Sequence, residues 1–167
     1  MQQDFDDLYQ CHAAELYRYL RRLTGARMTA QDILQEAFFK LHLQLSAARA
    51  LTNARAWLFQ VATNLAHNRR RDEMRASQRE ERYEFSPKVV DFHQQLEQQQ
   101  LLQRALQNLT PQMRQVLLLA AEGFTHREIA EITGIAAGYV AVLIGRGRAA
   151  FKHSYQQNDR SSDEKHG

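Results

Sequence analysis

Residues Leu109 to Phe151 read LTPQMRQVLLLAAEGFTHREIAEITGIAAGYVAVLIGRGRAAF. Thr110 followed by Pro111 predicts the start of a helix, because a threonine hydroxyl caps the first turn and proline is tolerated at the first helical position. Apolar residues follow at helical spacing, and Gly123 predicts the end of this helix. The stretch therefore opens with one amphipathic helix that is bounded at both ends.

The remainder of the stretch predicts two further helices. Thr125 and Glu128 have the spacing of a capping box, and Gly134 is expected to end the short helix that they begin. A longer helix is expected from about Ala137 to Phe151, with its apolar residues on one stripe. Helices joined by a short glycine turn, the longer one ending in arginines, are typical of a helix-turn-helix, which reads the major groove of DNA.

The N-terminal half also predicts helices. Apolar residues, Tyr9 among them, recur at intervals of three and four before Gly25, which is expected to end the first helix. Thr29 is predicted to cap a second helix that reaches about Leu45, and a third is expected to begin at Ala54. Almost no segment alternates as a strand does, so we predict an all-α fold.

The distribution of motifs predicts two small helical domains joined by a linker. We expect an N-terminal domain over residues 1–72, a linker over residues 73–91 that contains a serine-proline breaker, and a helix-turn-helix domain over residues 92–155. An aspartate at the start of the second domain is predicted to cap its first helix. Residues 156–167 have no apolar period and are expected to be disordered.

The charge balance favours a polyanionic partner. The 167 residues carry 22 lysines and arginines against 19 aspartates and glutamates, a formal net charge of +3. The excess is local, since residues 54–82 hold seven arginines against four acids and residues 101–153 hold six basic residues against three acids. Two basic blocks suit two contacts on one nucleic acid.

The single cysteine, Cys11, cannot form an internal disulfide, and it falls beside the apolar stripe of the first helix, where we expect it to be partly buried. The acidic start MQQDFDDLYQ is unlike a secretory signal, and the apolar run from Val116 to Ala121 is too short to cross a bilayer. These features predict a cytoplasmic protein with no membrane insertion.

The helix-turn-helix stretch resembles the C-terminal promoter-binding region of bacterial sigma factors of the extracytoplasmic-function group. The resemblance rests on the proline, the Leu/Val run, the glycine, EIAEI, Gly-Ile and the closing Arg-x-Arg. An EIAEI-type helix alone also fits the output domain of a response regulator, but no βαβ receiver with paired acidic residues precedes it. The N-terminal half therefore has to decide between the two.

One face of the second predicted helix matches the sigma-factor segment that grips the clamp helices of RNA polymerase. Carboxylates suit a basic partner surface, and an exposed aromatic supplies an apolar anchor at its centre. The resemblance implies polymerase contacts at Asp32, Gln35, Glu36 and Phe39.

Residues 55–71, RAWLFQVATNLAHNRRR, resemble the sigma-factor segment that melts and holds the −10 promoter element. In that family the preceding loop captures an extruded base, and a polar, basic helical row suits the backbone of a single strand. An arginine triplet at a helix end also interacts favourably with the helix dipole. The −10 contacts implied are Ser46, Arg49, Asn53, Arg55, Gln60, Asn64, His67, Arg70 and Arg71.

The recognition helix departs from the family pattern. Ala136 replaces the usual serine cap, and the stretch from Ala141 to Gly145 carries none of the side chains that donate or accept hydrogen bonds at base edges. Either the −35 element is read through shape and phosphates, or Val142 and Leu143 are exposed and contact a protein. The residues left for −35 DNA are Arg127, Tyr139, Arg146 and Arg148.

The resemblance implies a transcription initiation factor. Its partners would be core RNA polymerase, through the clamp helices and the flap, promoter DNA, and an anti-sigma factor. An alternative is a sigma-like, non-initiating regulator that docks on polymerase or another protein through its apolar C-terminal helix. No nucleophile-base-acid set, phosphate loop or metal spacing is present, so neither an enzyme nor a cofactor is expected.

Overall fold

The computed structural model describes residues 4–77 and 95–163, which form helices and no strands. The predicted all-α class is confirmed. The described helices are α1 (Phe5–Thr24), α2 (Arg27–Ser46), α3 (Ala54–Ser77), α4 (Gln95–Gln107), α5 (Pro111–Ala121), α6 (His126–Thr133) and α7 (Ala137–Asp163).

Helices α1, α2 and α3 pack against one another around aromatic and aliphatic side chains. Tyr19 and Phe59 are fully buried, and their ring centroids lie 5.1 Å apart. The Tyr19 hydroxyl shares a 2.8 Å hydrogen bond with the hydroxyl of Thr63, so the polar end of the ring is satisfied inside the core. Burial raises the pKa of Tyr19 far above its ordinary value.

The start of α2 differs from the prediction. The helix begins at Arg27 after Ala26, which makes no side-chain cap, and Thr29 lies inside the first turn, so the predicted Thr29 cap is wrong. Gly25 ends α1 at φ +72°, and the Thr24 hydroxyl accepts from the Ala26 N–H at 3.3 Å. This tight connection lets α2 start before the threonine.

The C-terminal caps follow the sequence. The Thr110 hydroxyl accepts from the Met113 N–H at 3.3 Å ahead of α5, with Pro111 at the first helical position. Thr125 and Glu128 form the complete capping box of α6, and Gly134 ends that helix at φ +74°. Each of these predictions is confirmed.

Helix α7 is longer than predicted. It continues past Phe151 to Asp163, so the expected disorder of residues 156–163 is wrong. Packing against α4 supports the extension, since the side-chain amide of Asn108 donates to the hydroxyl of buried Ser154 at 2.7 Å. Phe151 also stacks on Tyr155, with 5.9 Å between ring centroids.

The end of α3 and the exposure of Cys11 on α1 both differ from the prediction. Helix α3 runs to Ser77, five residues into the predicted linker; the rest of that linker and the predicted aspartate cap lie outside the described residues. Cys11 is exposed instead of partly buried, and Tyr9 keeps 46% of its surface exposed although its ring packs on Phe38. Both side chains sit at the edge of the α1 stripe, where the neighbouring helices do not cover them.

The two halves of the protein lie against each other. Helix α5 packs on α1, and α6 packs on α3. Within residues 4–77 and 95–163, no single helix is long and apolar enough to span a membrane, and α6 with α7 passes that test only as a pair bent by 101°.

Candidate functional site

The outer face of α2 alternates exposed apolar and acidic side chains. The four predicted residues lie together on it: Asp32, Gln35 and Phe39 are exposed, and Glu36 is half-buried. Phe39 keeps 61% of its surface exposed, which is unusual for a phenylalanine. The predicted grouping on one face is therefore realised in the fold.

Two apolar residues that the sequence interpretation missed extend this face. Met28 is 69% exposed and Leu43 is 52% exposed. They lie four residues before Asp32 and four residues after Phe39, and positions four apart share a helix face. That spacing is the signal that would have found them. We call residues Met28, Asp32, Gln35, Glu36, Phe39 and Leu43 the α2 face.

Arg69 of α3 holds the acidic part of the α2 face. Its guanidinium lies 3.3 Å from a carboxylate oxygen of Asp32 and 3.4 Å from one of Glu36. The sequence placed Arg69 in a basic triplet at a helix end, and it gave no sign of these partners. The pairs are largely solvent-exposed, so each contributes no more than about 1 kcal/mol.

Most of the predicted −10 residues are exposed to solvent. Ser46 at the end of α2 and Arg49 in the α2–α3 connection are exposed, as are the residues of the polar row on α3. Partial burial of the ring and the neighbouring Arg70 charge lower the pKa of His67, so its ring is neutral at neutral pH. The exposed row consists of Gln60, Asn64, His67, Arg70 and Arg71.

Three of the predicted −10 residues contact the C-terminal half instead. The Asn53 side-chain amide donates to the Glu128 carboxylate at 3.4 Å, and the Gln60 amide donates to the Glu131 carbonyl at 3.2 Å. Arg55 makes the most extensive contact. Asn53 and Gln60 remain exposed beside these contacts, whereas Arg55 is partly buried.

Arg55 is a junction between α1, α3 and the end of α5. Its Nε and Nη2 donate to the two carboxylate oxygens of Glu15, both at 2.9 Å, and Nη2 also donates to the Glu122 carbonyl at 2.7 Å. The guanidinium lies 4.1 Å from the ring centroid of Phe124, within cation–π distance. Such a planar, bidentate arrangement fixes the side chain.

Glu15 completes the junction. Its carboxylate also lies 2.7 Å from Nδ1 of His12. Burial by itself raises the pKa of Glu15, but hydrogen bonds from Arg55 and His12 outweigh burial and leave the pKa below its ordinary value. The carboxylate is therefore ionised at neutral pH, as a partner of Arg55 must be.

On α7, the predicted −35 residues do not share one face. Tyr139, Val142 and Arg146 are exposed at spacings that place them on one side of the helix. Arg148 lies about half a turn away from Arg146, where it lines a cavity of about 340 Å³ with apolar residues of α4, α5 and α7. Arg127 is on α6, exposed, and 3.4 Å from the Glu131 carboxylate.

The expectation that Leu143 is exposed beside Val142 is wrong. Leu143 is 2% exposed, whereas Val142 is 41% exposed. Leu143 belongs to the inner stripe with Val140, Ile144 and Gly147, at steps of three, one and three. The exposed part of the recognition helix therefore offers a single branched aliphatic side chain, which is a small basis for a protein contact.

Among residues 4–77 and 95–163, no group of three or more His, Cys, Asp or Glu side chains is placed to hold a metal ion.

Family models match both halves of the chain. Sigma-70 region 2 matches residues 8–76, and Sigma-70 region 4 matches residues 99–151. The ECF RNA polymerase sigma factor SigE of Mycolicibacterium smegmatis is 31% identical over 151 residues, which are 86% of this chain and 58% of SigE. SigM of Mycobacterium tuberculosis is 28% identical over 146 residues, covering 87% of this chain and 74% of SigM.

Solved structures share the fold. The sigma factor RpoE of Bartonella quintana, in complex with the anti-sigma factor NepR, gives a TM-score of 0.74 at 21% identity, covering 92% of this chain and 97% of RpoE. CnrH, in complex with the cytosolic domain of CnrY, gives a TM-score of 0.60 at 20% identity, covering 89% and 85% of the two chains.

These matches show that the chain belongs to the sigma-70 family. Within that family it falls in the extracytoplasmic-function group, to which SigE and SigM belong by name. The chain spans 58% of the length of SigE and 37% of the length of SigL of Mycobacterium tuberculosis.

Proposed function

We propose that the protein is a transcription initiation factor that binds core RNA polymerase and directs it to promoters. The observation that carries the proposal is the α2 face, where exposed Phe39 stands beside Asp32 and Glu36. An exposed aromatic inside a polar, charged rim has the composition of a protein-binding surface, and the acids complement a basic partner. The clamp helices of polymerase are the partner we assign to it.

For promoter DNA we assign the −10 strand to α3 and its preceding connection. The open row from Gln60 to Arg71 offers amides, a neutral imidazole and guanidinium groups along one side of a helix. Such groups bind a single-stranded backbone by charge and hydrogen bonds, with little demand on sequence. We assign the extruded base to Ser46, at the end of α2, and to Arg49 and Asn53 in the connection that follows.

For the −35 element we assign Tyr139 and Arg146, which share a face of α7, with Arg127 of α6 at its edge. A guanidinium can pair with a guanine edge or a phosphate, and Val142 can pack on a thymine methyl group. Arg148 points away from this face and would at most contact the phosphate backbone of the DNA. We therefore expect readout at −35 to depend mainly on DNA shape and phosphate contacts.

We also propose polymerase flap and anti-sigma partners. RpoE of Bartonella quintana is bound to an anti-sigma factor in its solved structure, and CnrH is bound to the cytosolic domain of CnrY. The cavity between α4, α5 and α7 has a mainly apolar lining, with Arg22 of α1 and Arg148 at its edge, and offers a partner apolar and charged contacts.

The polymerase assignment is tested by binding labelled protein to purified core RNA polymerase. Replacing Glu36 by Arg places a positive charge on the α2 face and is expected to weaken binding by more than about tenfold, since like-charge juxtaposition costs several kcal/mol. Asp159→Arg makes the same charge change on the exposed end of α7 and is the matched control. Equal affinity for both variants would overturn the assignment.

A further inference from the structure

A cavity of about 330 Å³ lies where α1, α2 and α3 meet α5. The end of α1, the start of α2 and one side of α3 supply most of its lining, and Pro111 and Arg114 of α5 supply the rest. Its volume lies at the lower end of the range for pockets that hold small molecules. The cavity is therefore large enough for a compact ligand, and the chemistry of its lining decides which class of ligand fits.

The charges that line this cavity are mainly positive. Arg69, Arg70 and Arg114 contribute guanidinium groups, whereas Glu73 is the one acid that the described residues place in the lining. Arg69 is already paired with two acids of α2. Within residues 4–77 and 95–163, neither Arg70 nor Arg114 forms an ion pair. Two positive charges thus border the cavity without a partner of opposite sign, and an anion inside it would supply one.

Arg114 is held in place by groups that do not neutralise its charge. Its Nε donates to the Leu106 carbonyl at 2.8 Å, and its Nη2 donates to the carbonyls of Gln107 and Leu109 at 3.0 and 3.3 Å. Its Nη1 makes no hydrogen bond to any described residue. Burial lowers the pKa of Arg114, and the positive charge of Arg70 lowers it further, but a guanidinium stays protonated. An anion in the cavity would offset the cost of keeping this charge partly buried.

The first turn of α2 adds a positive electrostatic potential from a different element. Ala26 precedes the helix and provides no side-chain cap, and Ala26 and Thr29 both line the cavity. The backbone N–H groups of a first helical turn have no partner within the helix and carry the positive end of the helix dipole. A phosphate group is a suitable partner for such N–H groups. Two structurally independent features of the cavity therefore favour negative charge.

From the lining of this cavity we propose that it binds a small diphosphate, meaning two linked phosphoryl groups, either as free pyrophosphate or as part of a nucleotide. Arg70 and Arg114 are the partners for one phosphoryl group, since guanidinium groups pair with phosphate oxygens in a bidentate manner. The first turn of α2 is the partner for the other. Two anion-binding features in one cavity suit two phosphoryl groups better than one.

A phosphate of a DNA strand is the competing occupant, because Arg70 also belongs to the row that we assign to the −10 strand. A continuous strand, however, would have to pass between α3 and α5 to reach Arg114, whose side chain is partly buried. A small anion enters from the exposed side at Arg70 and Glu73 without this requirement. The proposal therefore concerns a small molecule, and it depends on neither the promoter nor the polymerase assignment.

Ala26→Asp tests the site without removing a contact. An aspartate at the position before a helix accepts hydrogen bonds from the first-turn N–H groups and stabilises the helix, so we expect the fold to be retained. The same carboxylate places a negative charge in the cavity, and pyrophosphate binding is expected to weaken by at least about tenfold. Ala26→Asn caps the helix without the charge and is the matched control, with an expected loss of no more than about threefold.

Substitutions on α3 test the charged part of the lining. Arg70→Gln removes a charged partner of the anion and is expected to weaken binding about tenfold. Arg71→Gln removes an exposed arginine that does not line the cavity, and it is the control. Glu73→Gln removes the acid of the lining and is expected to tighten binding about threefold, which a merely structural role of Glu73 would not do.

Binding is measured by isothermal titration calorimetry on the full chain, at constant ionic strength and without Mg²⁺, which would neutralise the ligand. Sodium pyrophosphate and ADP are titrated separately. We expect saturable binding of at least one of them with a Kd below about 1 mM, and we expect it to weaken in Ala26→Asp and Arg70→Gln. Binding of ADP alone would identify a nucleotide as the source of the diphosphate, and equal binding of both would show that the diphosphate is sufficient.

Two results would overturn the proposal. One is that neither ligand binds in a saturable manner. The other is that Ala26→Asp and Arg70→Gln bind the ligand as wild type does. In the first case, weaker binding of a single-stranded oligonucleotide by Ala26→Asp than by Ala26→Asn would reassign the cavity to a DNA phosphate.

Discussion

The α2 face and the start of α3 belong to the same three-helix unit, yet they differ in how the rest of the chain treats them. Phe39 and Leu43 are more than half exposed. Arg55 on α3 is held by Glu15 and by the Glu122 carbonyl. The α2 face is thus exposed in the folded protein, while Arg55 at the start of α3 is engaged in contacts within the protein.

A surface that is already exposed in the free protein binds without a conformational cost. We therefore expect polymerase to bind the α2 face of the free protein directly.

The largest effect is expected from Phe39→Ala, which removes the exposed aromatic side chain of the α2 face. An exposed aromatic at the centre of a charged rim is a candidate hot spot, so its truncation should cost about 2–3 kcal/mol of binding to core polymerase. The folding stability should be unchanged within about 0.5 kcal/mol, because Phe39 packs little in the free protein.

Met74→Ala is the matched control for Phe39→Ala. Met74 is 58% exposed on α3 and lies outside the α2 face. Affinities are measured by titrating labelled protein with core enzyme, and comparable losses from the two truncations would remove Phe39 from its assigned role.

Arg55→Gln removes contacts that Arg55 makes within the protein. It should have the next largest effect, which is on the free energy of unfolding. The substitution removes a bidentate charge-assisted contact and a contact with the Phe124 ring. We expect the free energy of unfolding at neutral pH to fall by about 2 kcal/mol. Urea unfolding followed by circular dichroism measures it, with Arg104→Gln, an exposed arginine of α4, as the control.

Lowering the pH tests whether Glu15 is the partner responsible for the effect of Arg55→Gln. Glu15 has a lowered pKa in the folded protein, so its pairing stabilises the fold above the unfolded-state pKa of about 4.3 and is lost as the pH falls through the folded-state value. The stability difference between Arg55→Gln and wild type should therefore shrink below about pH 4. A difference independent of pH would mean that Glu15 is not the partner that matters.

The smallest effect is expected from Arg69→Ala. Arg69 pairs with Asp32 and Glu36 on the presented surface, and its removal leaves both carboxylates available to a basic partner. Polymerase binding is expected to tighten by no more than about fivefold and to depend more steeply on salt, since the pairs are exposed. Arg75→Ala, exposed on the last turn of α3, is the control, and weaker binding by Arg69→Ala alone would show that Arg69 positions the acids instead.

Local chemistry explains which features could be predicted from the sequence. The caps at Thr110 and at Thr125 with Glu128, and the turn at Gly134, depend on residues within four positions of each other, and all were predicted correctly. Thr29 shows the limit, because the helix start was moved by the tight turn at Gly25. There a local turn, four residues before the threonine, overrode the capping pattern.

The contacts that organise the site are not local. Arg55 meets Glu15 and Glu122 across separations of 40 and 67 residues, and Arg69 meets Asp32 across 37. No periodicity or motif specifies such partners. The extension of α7 likewise depends on Asn108 bonding to Ser154 across 46 residues, which a pattern of apolar spacing does not reveal.

Transcription by purified core RNA polymerase on a pool of genomic fragments, with and without the protein, tests the central claim most directly. The 5′ ends of the transcripts are sequenced, so no promoter has to be known beforehand. We expect new, defined start sites that appear only with the protein and share a common sequence at −10, and we expect Phe39→Ala to remove them. Polymerase that binds the protein yet produces no new start sites would contradict it.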